Sequence, residues 1–480
     1  MSINQNAENT SFKPSLGLLD ATMIVAGSMI GSGIFLVSGE IARNVGSAGW
    51  LTAMWVLAGV VTLIAALSYG ELSGMFPKAG GQYVYLREAY NPFIAFLFGW
   101  TQFGVIQTGT IAAVAVAFAK YTAYLIPAVG SANILFTIAG VTISAAQVLA
   151  IVSIIILTYI NTRGVQSGKI IQTVFTLAKL LSLFGLIFFG FLIGAKKGIW
   201  DANWANAWIP QNLGTNDGAI AKPLAIPTLL SGMGLLGAIA ISMKGSLFSS
   251  DAWNNVTFIA GEIKNPQKNI GRSLFLGTFI VTLIYVSANL MYLAVIPFHD
   301  IAFTPDDRIG VVAANHIFGD VGSIIIAVMI MVSTFGCNNG LILSGARIYY
   351  GMAKDGLFFK KAGTLNKNSV PAYALWIQCF WASFLCLTGR YNDLLALVIF
   401  GVLVFYVLTI AGIFILRRKR PDAPRPYKAF GYPVLPFLYI LIAAGLALLL
   451  LIFEPNHTLP GLGIILLGIP VYYLAKKKGE

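Results

Sequence analysis

Gly27-Ser28-Met29-Ile30-Gly31-Ser32-Gly33-Ile34-Phe35 sits in the middle of one long apolar run, and Gly245-Ser246-Leu247-Phe248-Ser249-Ser250-Asp251-Ala252-Trp253-Asn254-Asn255 sits in the middle of another. Both place small and polar residues where a membrane helix is otherwise continuous. Unwound backbone at membrane depth is tolerated only where it is buried in protein or lines a cavity, because bare amide groups are costly in hydrocarbon. Two such breaks at corresponding places in two halves of a chain point to a transporter site between inverted repeats. Gly27 and Gly31 alone also fit a GxxxG helix-packing face. A second break five spans later favours the transporter reading.

Outward from the breaks, the whole chain is built for lipid. It is 57% hydrophobic and 10% charged, with a mean hydropathy of +0.80; soluble domains carry about 25% charged residues. Runs of the length needed to cross a bilayer fall near 18–44, 48–74, 92–120, 144–161, 169–194, 227–262, 271–297, 321–352, 371–388, 391–416, 433–453 and 459–475. The expectation is an all-α polytopic protein of about twelve helices. Its parts would be a tail (1–17), a first five-helix repeat (18–194), an extracellular loop (195–226), a second, inverted repeat (227–416), and two further helices with the C-terminus (417–480). The opening residues are polar and the first apolar run is too long for a signal-peptide core, so no cleavable signal is expected.

The net charge of +13 raises the question of nucleic acid, but the distribution answers it. With the N-terminus inside, 22 of the 31 Lys and Arg residues fall on cytoplasmic segments and seven on outer ones, while Lys179 and Lys244 lie within spans. This is the positive-inside pattern. It predicts a multi-pass protein of the cell membrane with both termini cytoplasmic and no nucleic-acid partner. His299, His316 and His457 fall in predicted outer loops, and no HExxH, GxSxG or P-loop is present, so the residues do not read as an enzyme. Neither a ring of like charges nor repeated carbonyl loops suggests a channel. Cys337, Cys379 and Cys386 all fall in spans without a CxxC pattern; no metal or cofactor is expected.

A broken helix makes a specific chemical offer. The N–H groups that begin the second half-helix suit a carboxylate, and the carbonyls that end the first suit an ammonium. Together they read a zwitterion, so free amino acids are the natural substrate. Lys179 is the most informative charge. It lies ten residues beyond Lys169, roughly 15 Å deep at 1.5 Å per residue, near the middle of a core about 30 Å thick. A cation there is a functional candidate by default, although a purely structural ion pair also fits.

Several stretches carry a family likeness: Ile30-Gly31-Ser32-Gly33-Ile34-Phe35, Tyr69-Gly70-Glu71-Leu72, Pro77-Lys78-Ala79-Gly80-Gly81-Gln82-Tyr83, Gly261-Glu262-Ile263-Lys264-Asn265-Pro266, Phe335-Gly336-Cys337-Asn338-Asn339-Gly340, and Leu416-Arg417-Arg418-Lys419-Arg420-Pro421-Asp422. In this order they resemble the L-type amino acid transporter (LAT) family of the amino acid–polyamine–organocation (APC) superfamily. Gly468-Ile469-Pro470-Val471-Tyr472-Tyr473 brings the chain nearest to that family's bacterial serine/threonine exchangers. The resemblance implies a leucine-transporter-like fold with broken helices 1 and 6, alternating access, and sodium-independent exchange of L-amino acids, here small neutral ones. A proton-coupled symporter, or a carrier of cationic amino acids or polyamines, is the alternative.

By the same likeness, the amides of Ser32, Gly33 and Ile34 hold the substrate carboxylate, with Ser28 and Met29 lining the turn. The carbonyls of Phe248, Ser249 and Asp251 take the ammonium, Phe248 is the outer lid, and Asn254 faces the cavity. Core packing for Phe248 and a helix-packing hydrogen bond for Asn254 are the plainer readings. Lys179 would occupy the place of a sodium ion in sodium-coupled relatives and brace helix 1 against helix 8 near Cys337, whose thiol is a poor sodium ligand. Two positions depart from the family. Where it reads a small residue and then Gly-Trp, this chain has Asp251-Ala252-Trp253, and Lys244 stands one turn before Phe248. Lys244 would either snorkel outward or pair with Asp251. Animal members bind a heavy subunit through a cysteine in the loop between helices 3 and 4. Residues 121–143 contain none, so no disulfide-linked heavy subunit is expected; the partners are the amino acid and the lipid bilayer.

The charge asymmetry makes a direct prediction. Protease tags fused to either terminus should resist digestion in right-side-out vesicles and be cut once the vesicles are opened. Cleavage of either tag from outside would refute the orientation.

Overall fold

In the computed structural model, residues 14–138, 141–217, 220–388 and 391–477 are described. Both quoted stretches are breaks. Helix α1 (Leu18–Met29) ends as Ile30 turns to φ −74°, ψ 90°, and the chain resumes as a 3-10 turn, Gly33–Phe35, and helix α2 (Val37–Val45). Then come α3 (Ala48–Met75), the short α4 (Gln82–Ala89), α5 (Pro92–Leu125) with a π turn at Gln102–Ile106, α6 (Ala145–Thr162), α7 (Val165–Phe189) and α8 (Lys197–Trp204). Helix α9 (Gly232–Ser249) stops in its turn, and one short turn, α10 (Asn255–Phe258), follows. The remainder is α11 (Pro266–Val295), α12 (Ile309–Lys354, kinked at Gly319), α13 (Ala372–Thr388), α14 (Tyr391–Lys419), α15 (Val434–Phe453) and α16 (Pro455–Lys477).

Among the described residues, ten helices are long and apolar enough to cross a membrane, and two shorter apolar ones, Leu18–Met29 and Ala372–Leu387, bring the crossings to twelve. Each broken helix counts as one crossing. Successive crossings alternate, so residues 14–17 and 420–433 share one face, termed near, while the connections at 126–144 and 195–231 lie on the far face. The expected all-α, leucine-transporter-like architecture is present, with two small additions. Antiparallel hairpins β1 (Ile134–Ile138) with β2 (Val141–Ser144), and β3 (Gln211–Asp217) with β4 (Ile220–Leu229), form in the far-face connections. The stretch 195–226, expected as a plain loop, is therefore a helix and a hairpin that cap the far end of α3. The Gly49 amide donates to the Ala207 carbonyl at 2.9 Å, and the Trp50 indole to that of Trp208 at 3.2 Å.

In the membrane the helices approach closely where glycine allows it. A Cβ at Gly59 of α3 would lie 2.2 Å from Thr282 of α11, and one at Gly277 of α11 would lie 2.4 Å from Val25 of α1. Lipid-embedded helices gain little from apolar burial alone, so this backbone-level fit supplies the packing. It wedges α1 between α7, α11 and α12.

Charges close both ends of the bundle. On the near face Glu71 accepts two bonds from Arg417, at 3.0 and 2.7 Å, and a third from the Ala429 amide at 2.7 Å. Arg347 of α12 donates to Glu262 at 3.0 Å, both side chains being buried. The Glu262 carbonyl accepts from the amides of Ser15 and Leu16, and the Lys264 amide donates back to Leu16, so residues 15–16 strap the end of the sixth crossing. On the far face Arg43 pairs with Asp307 at 2.8 Å. Lys244 corrects the sequence reading. It neither reaches headgroups nor pairs with Asp251; it is buried, 2.8 Å from Glu454 and 3.3 Å from Glu40. Those carboxylates are remote in sequence, which is why one-turn spacing suggested Asp251 instead. Cys337, Cys379 and Cys386 are free and buried.

Candidate functional site

The break in the first crossing is built by side chains from elsewhere in the bundle. Where α1 stops, carbonyls lose their helical donors, and each needs a replacement at this depth. The Lys179 ammonium of α7 donates to Gly27 at 2.6 Å and to Ile30 at 2.7 Å. The Cys337 thiol of α12 donates to Ser28 at 3.1 Å. The Tyr285 hydroxyl of α11 lies 2.9 Å from the Met29 carbonyl. Beyond the break, Tyr292 donates to Ile34 at 3.4 Å and Tyr121 to Phe35 at 2.9 Å. Six carbonyls are thus held by five side chains from α5, α7, α11 and α12.

The two breaks touch. A Cβ at Gly33 would lie 2.0 Å from the Ser249 hydroxyl and 2.6 Å from its Cβ. The glycine there lets the broken helices meet, a reason separate from any approach to a ligand. Tyr285 ties the same point, because its hydroxyl also lies 3.0 Å from the Ser249 carbonyl. A phenol has one proton to donate, so it is shared between Met29 of one half and Ser249 of the other.

After Ser249 the second break turns through Ala252 at φ +64°. This left-handed region is costly for any residue with a Cβ, which explains why glycine suits the position. The Asp251 carboxylate accepts from the Tyr406 hydroxyl of α14 at 2.6 Å. Tyr406 is fixed by ring contacts with Trp253 and Tyr69, at centroid distances of 5.2 and 5.8 Å. Asn254 donates to the Gln82 side chain at 3.0 Å, and Gln82 donates to Thr409 at 2.9 Å.

A narrow polar cavity opens beside this second break, lined by Gln82, Gln102, Gln107, Asp251, Asn255 and Tyr406 among others. Asn254 also lines it, whereas no residue of the first break does. The Gln102 Oε1 and Asn255 Nδ2 atoms are buried without a hydrogen-bond partner, and so is the Ser28 hydroxyl on the first break. Buried polar atoms are normally satisfied, and a polar ligand or water would satisfy these.

The structure therefore gathers Ser28, Met29, Ser32, Gly33, Ile34, Phe248 and Ser249 around the touching breaks, all buried. It sets Asp251 and Asn254 slightly apart, in the adjoining cavity. Lys179 stands behind the first break. Sequence reasoning missed Tyr285, Tyr406 and the amide-bearing residues of α5. The available signal was the count of carbonyls left without donors by each break.

The sequence profile of the amino acid permease family matches residues 16–471. The chain is 31% identical to the serine/threonine exchanger SteT of Bacillus subtilis (strain 168), over 98% of this chain and 99% of that protein. It is 29% identical to the large neutral amino acids transporter small subunit 2 of Mus musculus, covering 97% of this chain and 81% of the relative. It is 28% identical to the mouse b(0,+)-type amino acid transporter 1, covering 97% and 89%.

The contact between Gly33 and Ser249 sets a test. Gly33→Val should push the breaks apart and weaken ligand binding more than about tenfold while the protein stays monodisperse. Gly33→Ala combined with Ser249→Gly, which makes room for the added methyl, should recover most of the affinity lost in Gly33→Ala alone. Equilibrium binding to purified protein measures this; unchanged affinity in Gly33→Val would contradict the arrangement.

Proposed function

Because the chain belongs to the amino acid permease family, we propose that it exchanges L-amino acids across the cell membrane by alternating access, without sodium. The observation that carries this reading is the pair of touching helix breaks at membrane depth, one offering amides at a helix start and the other carbonyls at a helix end. Oppositely polarised ends a few ångströms apart suit the carboxylate and ammonium of one amino acid. Gly33 and Ile34, with Ser32, present the amides, while Phe248, Ser249 and Asp251 present the carbonyls. The repeats divide at 18–194 and 227–416, placing one break in each.

Lys179 supports the sodium-independent part. Its ammonium supplies the positive charge that two helix-1 carbonyls accept, and Cys337 contributes a thiol there rather than an oxygen ligand. The near face is cytoplasmic on the charge distribution, with both termini inside. The chain works without a disulfide-linked heavy subunit. The seat is buried from both faces, so the arrangement is a closed one, and transport requires each end to open in turn.

Side-chain selection falls to the polar cavity. Its limited space and its amide and hydroxyl lining suit small neutral substrates such as serine, threonine or alanine. Tyr406 already donates to Asp251, which leaves that carboxylate engaged rather than waiting for a cationic side chain.

Counterflow tests the reading. Proteoliposomes preloaded with serine should accumulate labelled serine or alanine, and empty ones should not. Replacing sodium with choline should leave the rate unchanged within about twofold. Strict sodium dependence, equal uptake into empty vesicles, or a preference for arginine over serine would overturn the corresponding part.

A further inference from the structure

Lys244 is the buried charge that the transport site does not use. It sits on α9, the far half of the second broken helix, and is 3% exposed. Its ammonium binds Glu454 at 2.8 Å and Glu40 at 3.3 Å. The two carboxylates belong to different parts of the molecule. Glu40 is on α2, the far half of the first broken helix, and Glu454 stands at the turn between α15 and α16. A buried ammonium fixed by two carboxylates is a directed tie, since separating either pair leaves charge uncompensated in a poorly solvated place.

The packing around this cation follows the same division. Helices α2 and α9 lie directly together, with a Cβ at Gly245 meeting Val37 at 3.2 Å and Gly33 abutting Ser249. These two far halves form one unit above the seat. On its other side α9 rests on the end of α15, where a Cβ at Gly237 would lie 2.8 Å from the Phe453 ring. Opening the seat to the far face requires this unit to move away from the helices around it. The Lys244–Glu40 pair lies within the unit and can travel with it. The Lys244–Glu454 pair crosses its boundary.

We propose that Lys244 and Glu454 form a latch on the far-face gate, tying the outer halves of both broken helices to the last helix pair, with Glu40 holding the cation in place. The proposal rests on the alternating-access reading above. Lys244 and Glu454 are positioning residues, since neither belongs to the substrate seat. Loss of the latch favours the far-open state. By linkage, apparent affinity for substrate then rises from the far side and falls from the near side, because each side sees only the fraction of molecules open to it. A part played only in stability would change yield and melting temperature without changing the ratio between the two sides.

The test is the half-saturation concentration for labelled serine from each face, in proteoliposomes of known orientation. Glu454→Gln keeps the size of the side chain and leaves Glu40 to balance Lys244. It should lower the far-to-near ratio of half-saturation about fivefold. Glu40→Gln should leave the ratio within about twofold of wild type, because α2 and α9 move together. Should Glu454→Gln fail to fold, Glu454→Asp lengthens the same ion pair and should shift the ratio in the same direction by about twofold. An unchanged ratio in the folded Glu454 variant, or an equal shift in Glu40→Gln, would overturn the latch. Absence of exchange in the wild type would instead strike the functional reading beneath it.

Discussion

A single ammonium group holds open the first helix. Lys179 is fully buried and gives hydrogen bonds to the Gly27 and Ile30 carbonyls, either side of the point where α1 ends. Each partner solves the other's problem. A lysine at membrane depth costs several kcal/mol unless its charge is satisfied, and unpaired carbonyls there carry a comparable penalty. Carbonyl dipoles neutralise the cation only in part, so the pairing is sensitive to geometry. It locks α7 to the break rather than merely filling space beside it.

The rest of the site depends on that lock. With Gly27 and Ile30 held, the Ser28 and Met29 carbonyls fall within reach of Cys337 and Tyr285. The chain can then restart at Gly33 against Ser249. Tyr285 carries the constraint across to the second broken helix through its shared proton. Both ends of the bundle are closed in this arrangement, the near one by Arg347 with Glu262 and the strap at residues 15–16, the far one by Lys244 and Arg43. A transport cycle on this frame alternates which set of charges parts, while the central backbone contacts persist.

Much of the fold was legible because bilayer physics restricts the possibilities. Apolar run lengths located the crossings, and the small, polar interruptions located both breaks. The depth of Lys179 was readable by counting residues from the membrane face, and its need for carbonyl partners followed from its charge. The pairing of Lys244 was not readable, because Glu40 and Glu454 are brought to it by tertiary packing across hundreds of residues. Tyr285 and Tyr406 were invisible for another reason: a tyrosine in an apolar span looks like packing until the hydroxyl's acceptor is known. Gly33 was placed at the right point but given an incomplete reason, since its lack of a side chain also serves the contact with Ser249. The hairpin at Gln211–Leu229 went unread because its Pro223 and Pro227 argue against a strand in isolation.

The central claim is that the Lys179 charge sustains the break through the transport cycle and is not simply a source of stability. It is tested by measuring serine exchange per folded molecule in Lys179→Ala, alongside its melting temperature and its equilibrium affinity for serine. The account predicts that most exchange is lost, by more than about tenfold, while binding is retained in weakened form. Normal turnover per folded molecule, with only yield and melting temperature reduced, would contradict it and leave Lys179 a structural ion.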